Sequence, residues 1–306
     1  MKIVVLDGYT TNPGDLYWDK IKSLGQLTVY DRTSPAQIVP RSIDADILIV
    51  NGVKLTSNIM KQLPRLKLVT LLATGFNNID VEYAKAKGVA ICNTPCYSTE
   101  AVAQHTIALL LEITNQVALH SAAVHAGKWY NCPDDCFCIK PLSLLAGKSI
   151  GIIGFGNIGK KVGEIAEALG MRVIPYSEDP EYAITADVVS LHCPLTPDNI
   201  GFVNEDFISK MKDGAILINT ARGALIDEMA LAAALNKGKL AAAGVDVMKT
   251  EPPRKDILCP LIECPNCYIT PHHAWMPLET RQLLIDIAYA NIISFMNGDY
   301  LNRIDL

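Results

Sequence analysis

Short apolar runs recur along the first 92 residues, separated by segments whose apolar positions repeat every three or four residues. The runs are typical of buried β-strands, and the segments between them are typical of helices. The predicted strands are Ile3–Asp7, Leu27–Tyr30, Ile47–Val50, Leu68–Leu72 and Val89–Cys92. The predicted helices are Leu16–Leu24, Ser57–Gln62 and Val81–Lys87. This alternation predicts an α/β unit with a parallel, doubly wound sheet.

The same alternation resumes at Ser149 and predicts a second doubly wound unit. Its predicted strands are Ile150–Ile153, Arg172–Tyr176, Val188–His192, Ala215–Asn219, Gly244–Val247 and Cys267–Thr270. Its helices include Asn204–Met211 and Glu228–Lys237. Two long, nearly apolar helices flank this unit, at Thr99 to about Leu119 and at Glu279–Met296, and the second is expected to pack back on the first domain. We therefore expect a discontinuous substrate-binding domain, residues 1–99 and 275–306, with a cofactor domain, residues 100–274, inserted into it.

Residues 120–147 of the inserted domain show no clear periodicity. Trp129, Tyr130, Phe137 and Ile139 make this stretch too apolar for a solvated linker. We expect an arm that packs on another surface, such as a second subunit, and therefore a homodimer.

A glycine-rich turn follows the first strand of the second unit. Gly154, Gly156 and Gly159 form the pattern G-x-G-x-x-G between an apolar run and a helical segment. In that setting the first glycine allows a tight turn, the second admits a pyrophosphate, and the third lets the helix pack closely on the strand. The N–H groups at the start of the helix attract phosphate. The pattern alone is weak, but its position between strand and helix predicts a dinucleotide site.

Three later strands of the second unit are each followed by a charged or titratable residue: Arg222, Glu251 and His272. The carboxyl ends of parallel strands share one edge of the sheet, where the nicotinamide end of a dinucleotide lies. Each residue alone has an ordinary structural explanation, such as a surface ion pair or a loop histidine. The three together predict a catalytic site.

Composition narrows the classes of function. Half of the 306 residues are apolar and 19% are charged, as in a globular protein of about two domains. The net charge of −5 argues against a nucleic-acid partner, and no uncharged apolar stretch is long enough to span a bilayer.

The first residues resemble a strand rather than a secretion signal, so we expect a cytoplasmic protein with nine reduced cysteines. Only one pair of cysteines, Cys264 and Cys267, has zinc-like spacing, and no second pair follows it. Ordinary cysteines are therefore favoured over a metal site.

Six stretches carry a resemblance to a known family: residues 5–10, Ala73–Asn77, Ser98–Thr106, Asn219–Gly223, Asp246–Pro252 and Pro271–Trp275. They resemble the D-isomer-specific 2-hydroxyacid dehydrogenases, and within that family the glycerate dehydrogenases, also called hydroxypyruvate reductases. The resemblance covers nearly the whole chain. It implies an oxidoreductase that acts on a small 2-oxo or 2-hydroxy acid, with Arg222, Glu251 and His272 in the active site.

The residue types suit this chemistry. A histidine has a pKa near the working pH, so His272 is the expected general acid, protonating the carbonyl oxygen while hydride reaches the carbon. Glu251 would favour the imidazolium and orient the ring. Arg222 would hold the substrate carboxylate through its guanidinium fork. The backbone N–H groups expected to complete this cradle belong to Thr74, Gly75 and Phe76.

The resemblance also implies cofactor contacts. Of the glycine turn, Phe155, Gly156, Asn157 and Ile158 are expected to face the pyrophosphate, and Gly154 and Gly159 are expected to shape the cofactor site. Those expected beside the adenosine are His192, Cys193 and Pro194. Those expected near the nicotinamide are Thr220, Ala221, Arg222, His272 and Asp246, the last as a partner for the carboxamide. Ser177 stands where the NAD-dependent form usually has aspartate, and Glu178 follows it. Because this region is acidic and has no nearby arginine or lysine to pair a 2′-phosphate, NAD is favoured over NADP.

Residues 177–187 depart from the family pattern. Eleven residues join the second and third predicted strands of the cofactor unit, fewer than a parallel crossover with a helix usually takes. Relatives carry a further strand and helices here, so we expect a sheet about one strand short. The adenine pocket would then be open on one side and the affinity for NAD lowered. In the arm, Cys138 stands where an aromatic residue is common.

Three functions remain open. The first is an NAD-dependent glycerate dehydrogenase that reduces hydroxypyruvate and glyoxylate, and the second is the same chemistry on another 2-oxo acid such as pyruvate. The third is a dinucleotide-sensing binding protein, as in corepressors of this fold, which can keep the three active-site residues. A formate dehydrogenase is disfavoured because relatives have glutamine where Glu251 stands. A phosphoglycerate dehydrogenase with a regulatory tail is disfavoured because the chain ends at Leu306.

Overall fold

The structure is a computed structural model that describes residues 1–256 and 259–306. These residues form eleven β-strands and eleven α-helices. The strands are β1 (Lys2–Val5), β2 (Gln26–Val29), β3 (Ile47–Val50), β4 (Leu68–Leu71), β5 (Ala90–Cys92), β6 (Ser149–Ile153), β7 (Arg172–Pro175), β8 (Val188–Leu191), β9 (Ala215–Asn219), β10 (Leu240–Val245) and β11 (Cys267–Ile269). The helices are α1 (Asp19–Lys22), α2 (Ile38–Ser42), α3 (Ser57–Met60), α4 (Val81–Lys87), α5 (Thr99–Asn115), α6 (Val117–His125), α7 (Asn157–Ala168), α8 (Pro180–Ile184), α9 (Glu205–Lys210), α10 (Glu228–Asn236) and α11 (Leu278–Asn297). Every predicted strand overlaps an observed one, and the predicted α/β class with two parallel sheets is confirmed.

The chain divides into two compact units. One comprises Met1–Ser98 and Met276–Leu306, and the other comprises Thr99–Trp275. These bounds lie one residue from the junctions expected at 99/100 and 274/275.

In the first unit, five parallel strands lie in the order β2-β1-β3-β4-β5. Strands β3 and β4 are buried along their whole length, which explains why the sequence shows them as unbroken apolar runs. Helix α11 packs on β4. Its fully buried Asn291 donates hydrogen bonds to the carbonyl oxygen of Asn93 (2.9 Å) and the Oγ1 of Thr70 (3.2 Å), so a polar side chain is satisfied inside the core.

In the second unit, six parallel strands lie in the order β11-β10-β9-β8-β6-β7. The usual dinucleotide-binding sheet has another strand outside the second one. Here β7 occupies that edge, and no strand of the described residues pairs with its outer side. The predicted loss of about one strand from this sheet is therefore present.

The crossover between β7 and β8 contains a helix that the sequence did not predict. Asp179 begins α8 by accepting a hydrogen bond from the backbone N–H of Tyr182 (3.2 Å), and Pro180 occupies the first turn. The crossover lies directly against β6, because a Cβ added to Gly151 would stand 1.9 Å from the carbonyl oxygen of Ala183. Only glycine at 151 allows so close an approach of the two backbones.

The long helix predicted from Thr99 to about Leu119 is interrupted. Gln116 adopts a left-handed conformation (φ 51°), and its Nε2 donates to the carbonyl oxygen of Ile113, which ends α5. Helix α6 then begins at Val117, is bent by 57° from α5, and continues to His125, inside the stretch expected to be irregular. No single helix in the described ranges meets the length and apolarity needed to cross a membrane, although this bent pair passes on those two criteria alone. The first helix of this pair, α5, packs in the core of the second unit, where its Leu110 is fully buried.

Candidate active site

The glycine turn between β6 and α7 has the shape of a phosphate cradle. Gly154 has φ 96°, and a Cβ there would lie 2.4 Å from the backbone nitrogen of Cys193. A Cβ on Gly159 would lie 2.2 Å from the carbonyl oxygen of Gly154. A Cβ on Gly156, by contrast, would meet nothing within 4 Å. The first and third glycines are thus needed by the fold, whereas the second faces open space that a pyrophosphate can occupy.

Helix α7 begins directly at that space. Gly156 is its N-cap and Asn157 its first residue, so the helix dipole favours an anion there. Phe155 and Ile158 are half-buried and pack against the core beneath the turn. The residues present fit the pyrophosphate of a dinucleotide.

The residues expected beside the adenosine half of the cofactor follow β7 and β8. Ser177 and Glu178 are exposed, and the carboxylate of Asp179 caps α8. Glu178 is thus an exposed carboxylate directly before the residue that caps α8.

His192 stands after β8, followed by Cys193 and Pro194. The Nε2 of His192 lies 2.8 Å from the Oγ of Ser190, and its buried Nδ1 has no hydrogen-bond partner within the described part of the chain. Burial lowers the pKa of His192 to about 3, so the ring is neutral at physiological pH. Burial also raises the pKa of Cys193. Both residues are thus uncharged next to the glycine turn.

His272 and Glu251 form a hydrogen-bonded pair in the second unit. The Nδ1 of His272 lies 2.6 Å from Glu251 Oε2, and the other carboxylate oxygen accepts the backbone N–H of Met248 at 2.7 Å. The hydrogen bond to Glu251 raises the pKa of His272, although burial lowers it. The negative charges of Glu251 and Asp246 raise this pKa further. The opposing Arg222 charge lowers it. Burial works against ionisation of Glu251, yet its bond to His272 holds its pKa below the usual value.

Arg222 follows β9 and is exposed. Its backbone carbonyl accepts a hydrogen bond from the Nδ2 of Asn219 (2.9 Å), and its Nη1 donates to the carbonyl oxygen of Ala221 (2.7 Å). The next residue, Gly223, lies against the loop that carries Glu251, since a Cβ there would stand 2.0 Å from the backbone of Met248. The structure thus brings Arg222, Glu251 and His272 to the same sheet edge.

Thr220 and Asp246 are buried behind these residues. The Oγ1 of Thr220 lies 2.8 Å from the Oγ1 of Thr106 on α5. The Asp246 carboxylate is 1% exposed and accepts hydrogen bonds from the Thr270 hydroxyl (2.6 Å) and from the backbone N–H groups of His273 (3.0 Å) and Ala274 (3.1 Å). Most of its acceptor sites are therefore already in use.

The predicted carboxylate cradle lies in the first unit, after β4. The Thr74 hydroxyl donates to the carbonyl oxygen of Thr94 (2.8 Å), and the Nδ2 of Asn93 donates to the carbonyl oxygen of Thr74 (2.9 Å). Gly75 is half-buried and Phe76 is 42% exposed. These contacts fix the turn through its side chains and carbonyl groups.

Sequence reasoning missed the role of His105, although it lies in one of the stretches that carry the resemblance. His105 stands on α5, and its Nε2 lies 2.9 Å from the Oγ1 of Thr270. With Asp246 and His273 it forms a cluster whose potential ligand atoms all lie within 4.8 Å of one another. Hydrogen bonding accounts for this cluster, because the Asp246 carboxylate is occupied by protein donors.

Comparisons with known proteins agree with this geometry. The model for the NAD binding domain of D-isomer specific 2-hydroxyacid dehydrogenases matches residues 107–274. A hydroxypyruvate reductase from Blautia hydrogenotrophica is 46% identical over the full length of both chains. A glycerate dehydrogenase from Methylorubrum extorquens is 37% identical over 90% of this chain and 91% of its own. The crystal structure of a D-lactate dehydrogenase from Aquifex aeolicus, complexed with NAD and lactic acid, gives a TM-score of 0.83 at 28% identity and covers 100% of this chain and 99% of that one.

The fold and site define an oxidoreductase that acts on CH–OH groups with a nicotinamide cofactor. The chain belongs to the D-isomer-specific 2-hydroxyacid dehydrogenase family.

Proposed function

We propose that the protein is a glycerate dehydrogenase that reduces hydroxypyruvate with NADH. The observation that carries the proposal is the 2.6 Å contact between His272 and Glu251 beside Arg222, at the edge of a sheet whose glycine turn can hold a pyrophosphate. The relatives named hydroxypyruvate reductase and glycerate dehydrogenase support the choice of substrate.

His272, Glu251 and Arg222 have separate roles in the reduction. A bound NADH supplies hydride to the carbonyl carbon of the 2-oxo acid. The His272 imidazolium, which Glu251 stabilises and orients through Nδ1, donates its Nε2 proton to the carbonyl oxygen. Arg222 binds the substrate carboxylate and polarises the carbonyl. Because the His272 side chain is 46% exposed, water can reprotonate it after each turnover.

We also propose that the backbone N–H groups of Thr74, Gly75 and Phe76 bind the substrate carboxylate. The side-chain contacts of Thr74 support this role, since they hold the turn without using those N–H groups as donors. A backbone turn with outward N–H groups favours an anion.

NAD is the proposed cofactor. Ser177 and Glu178 are exposed after β7, where the ribose hydroxyls of the adenosine half are usually bound. A carboxylate at this position accepts a hydrogen bond from a ribose hydroxyl and repels a 2′-phosphate. His192, Cys193 and Pro194 are the proposed neighbours of the adenosine. Thr220, Ala221 and Asp246 are the proposed neighbours of the nicotinamide.

The active form is proposed to be a homodimer in the cytoplasm. Apolar side chains of the arm are strongly exposed in the single chain, with Tyr130 at 92% and Leu144 at 77%, which supports a partner surface there. The nine cysteines are free thiols, which fits a reducing compartment. Light scattering after size-exclusion chromatography measures the mass of the assembly.

The experiment that tests the function is a panel of 2-oxo acids assayed with NADH and with NADPH by absorbance. The proposal predicts the highest kcat/KM for hydroxypyruvate with NADH. A higher value for pyruvate or a bulkier acid would indicate the same chemistry on another substrate. Binding of NADH without turnover of any acid would indicate a sensor.

A further inference from the structure

A chain of hydrogen bonds runs from helix α5 to the turn that carries His272. Thr270 Oγ1 donates to Asp246 Oδ1 at 2.6 Å, which uses the only proton of this hydroxyl. The His105 Nε2, 2.9 Å from the same oxygen, must therefore be the donor in their contact. The direction of donation is thus fixed: His105 donates to Thr270, and Thr270 donates to Asp246.

The same residues hold the backbone of His272. Its N–H donates to the carbonyl oxygen of Asp246 at 2.8 Å and to that of Thr270 at 3.0 Å. His272 has φ 52°, a left-handed conformation that costs free energy in a residue other than glycine. Such a conformation persists where surrounding contacts specify it. The backbone carbonyl groups of Asp246 and Thr270 hold His272 itself. The Asp246 carboxylate holds the rest of the turn by accepting the backbone N–H groups of His273 and Ala274.

We propose that His105 and Thr270 are positioning residues for the reaction: they hold the buried Asp246 carboxylate and, through it, the turn that presents His272. Neither side chain is required to touch the substrate. This inference rests on the proposed function of His272 as the proton donor.

The charges around both histidines agree with this arrangement. Glu251, Asp246 and Arg222 act on His272, the two carboxylates raising its pKa and the guanidinium lowering it. Asp246 and His273 act on His105, whose pKa is lowered chiefly by burial, so a neutral ring with its proton on Nε2 suffices for the donor role. His273 also packs edge-on against the His105 ring, with the ring centres 4.8 Å apart.

Two substitutions remove different hydrogen bonds from the series His105–Thr270–Asp246. Thr270→Val keeps the size of the side chain but removes both the donor to Asp246 and the acceptor for His105. His105→Phe keeps an aromatic ring against His273 but removes the Nε2 donor. Thr270→Ser restores the hydroxyl. Thr114→Val is the matched control, because Thr114 is a buried threonine of α5 whose hydroxyl bonds only within its own helix.

The measurements are kcat and KM for hydroxypyruvate across pH, and the imidazole titration of His272 by NMR in the absence of substrate. We expect Thr270→Val to lower kcat about tenfold, the effect of losing a hydrogen bond to a charged group, and His105→Phe to lower it to a smaller extent. In both variants the alkaline limb of the kcat profile and the titration of His272 move to lower pH. Thr270→Ser and Thr114→Val behave like the unaltered enzyme.

The inference is overturned if Thr270→Val and His105→Phe leave kcat and the His272 titration unchanged, or if Thr114→Val matches their effect. The titration needs no substrate. It therefore tests this inference even if hydroxypyruvate is not turned over, an outcome that would refute the proposed function alone.

Discussion

Replacement of Gly156 by alanine separates cofactor binding from folding. The residue has φ −82° and ψ −158°, which alanine adopts, and a Cβ there would meet nothing within 4 Å. Because glycine is a better N-cap than alanine, the free energy of unfolding should fall by about 1 kcal/mol. For a unit of this size that is a shift in Tm of about 2–4 °C.

The affinity for NADH should respond much more strongly. The added methyl group fills the space where the pyrophosphate approaches the backbone, and at least one hydrogen bond to a charged phosphate is lost. Such a bond contributes about 1.5–3 kcal/mol, which corresponds to a loss of affinity of about tenfold or more.

Gly154→Ala supplies the contrast. Its Cβ would lie 2.4 Å from the backbone nitrogen of Cys193, in a backbone conformation with φ 96°. We expect this change to lower the free energy of unfolding by about 1–3 kcal/mol, so stability and binding fall together.

The assay pairs fluorescence titration of NADH with thermal unfolding of the cofactor-free protein. If Gly156→Ala binds NADH as tightly as the unaltered protein, the glycine turn is not the pyrophosphate site and the reasoning is refuted.

Three further predictions concern the substrate, the cofactor and the fold. Arg222→Lys should raise KM for the 2-oxo acid more than it lowers kcat, since lysine lacks the guanidinium fork; an unchanged KM would contradict this role. Because β7 has an open outer edge, the hypoxanthine analogue of NADH should bind within about threefold of NADH, and a tenfold preference for adenine would indicate that another segment closes the pocket. Burial opposes ionisation of Asp187, but its bonds to Lys212 and Ser149 lower its pKa to about 2, so its stabilising effect is present above about pH 4 and is lost as the pH falls through 2. Asp187→Asn should therefore cost about 2 kcal/mol in urea unfolding at pH 7 and little near pH 2, and a cost independent of pH would contradict the assignment.

The parallel strands were predictable because strands buried on both faces appear as unbroken apolar runs. The glycine turn and the three strand-end residues were predictable because parallel strands bring their carboxyl ends to one edge. The short crossover after β7 left no room for an additional strand, so the loss of the strand outside β7 in the described sheet was predictable as well.

Other features depend on contacts that a linear pattern does not contain. Helix α8 is only five residues long, too short for periodicity to reveal, although Asp179 and Pro180 are a start signal. Gly151 inside an apolar strand also signals a close backbone approach. The pairing of His105 with Thr270 joins residues 165 positions apart, so only the folded chain shows it.

His272, paired with Glu251, is the proposed proton donor in the reduction of hydroxypyruvate. The most direct test is steady-state oxidation of NADH with hydroxypyruvate by the unaltered enzyme, His272→Ala and His273→Ala. We predict ready turnover by the unaltered enzyme, a loss of kcat of about 10²–10⁴-fold in His272→Ala, and retention of most activity in His273→Ala. Equal losses in the two variants, or no turnover by the unaltered enzyme, would contradict the account.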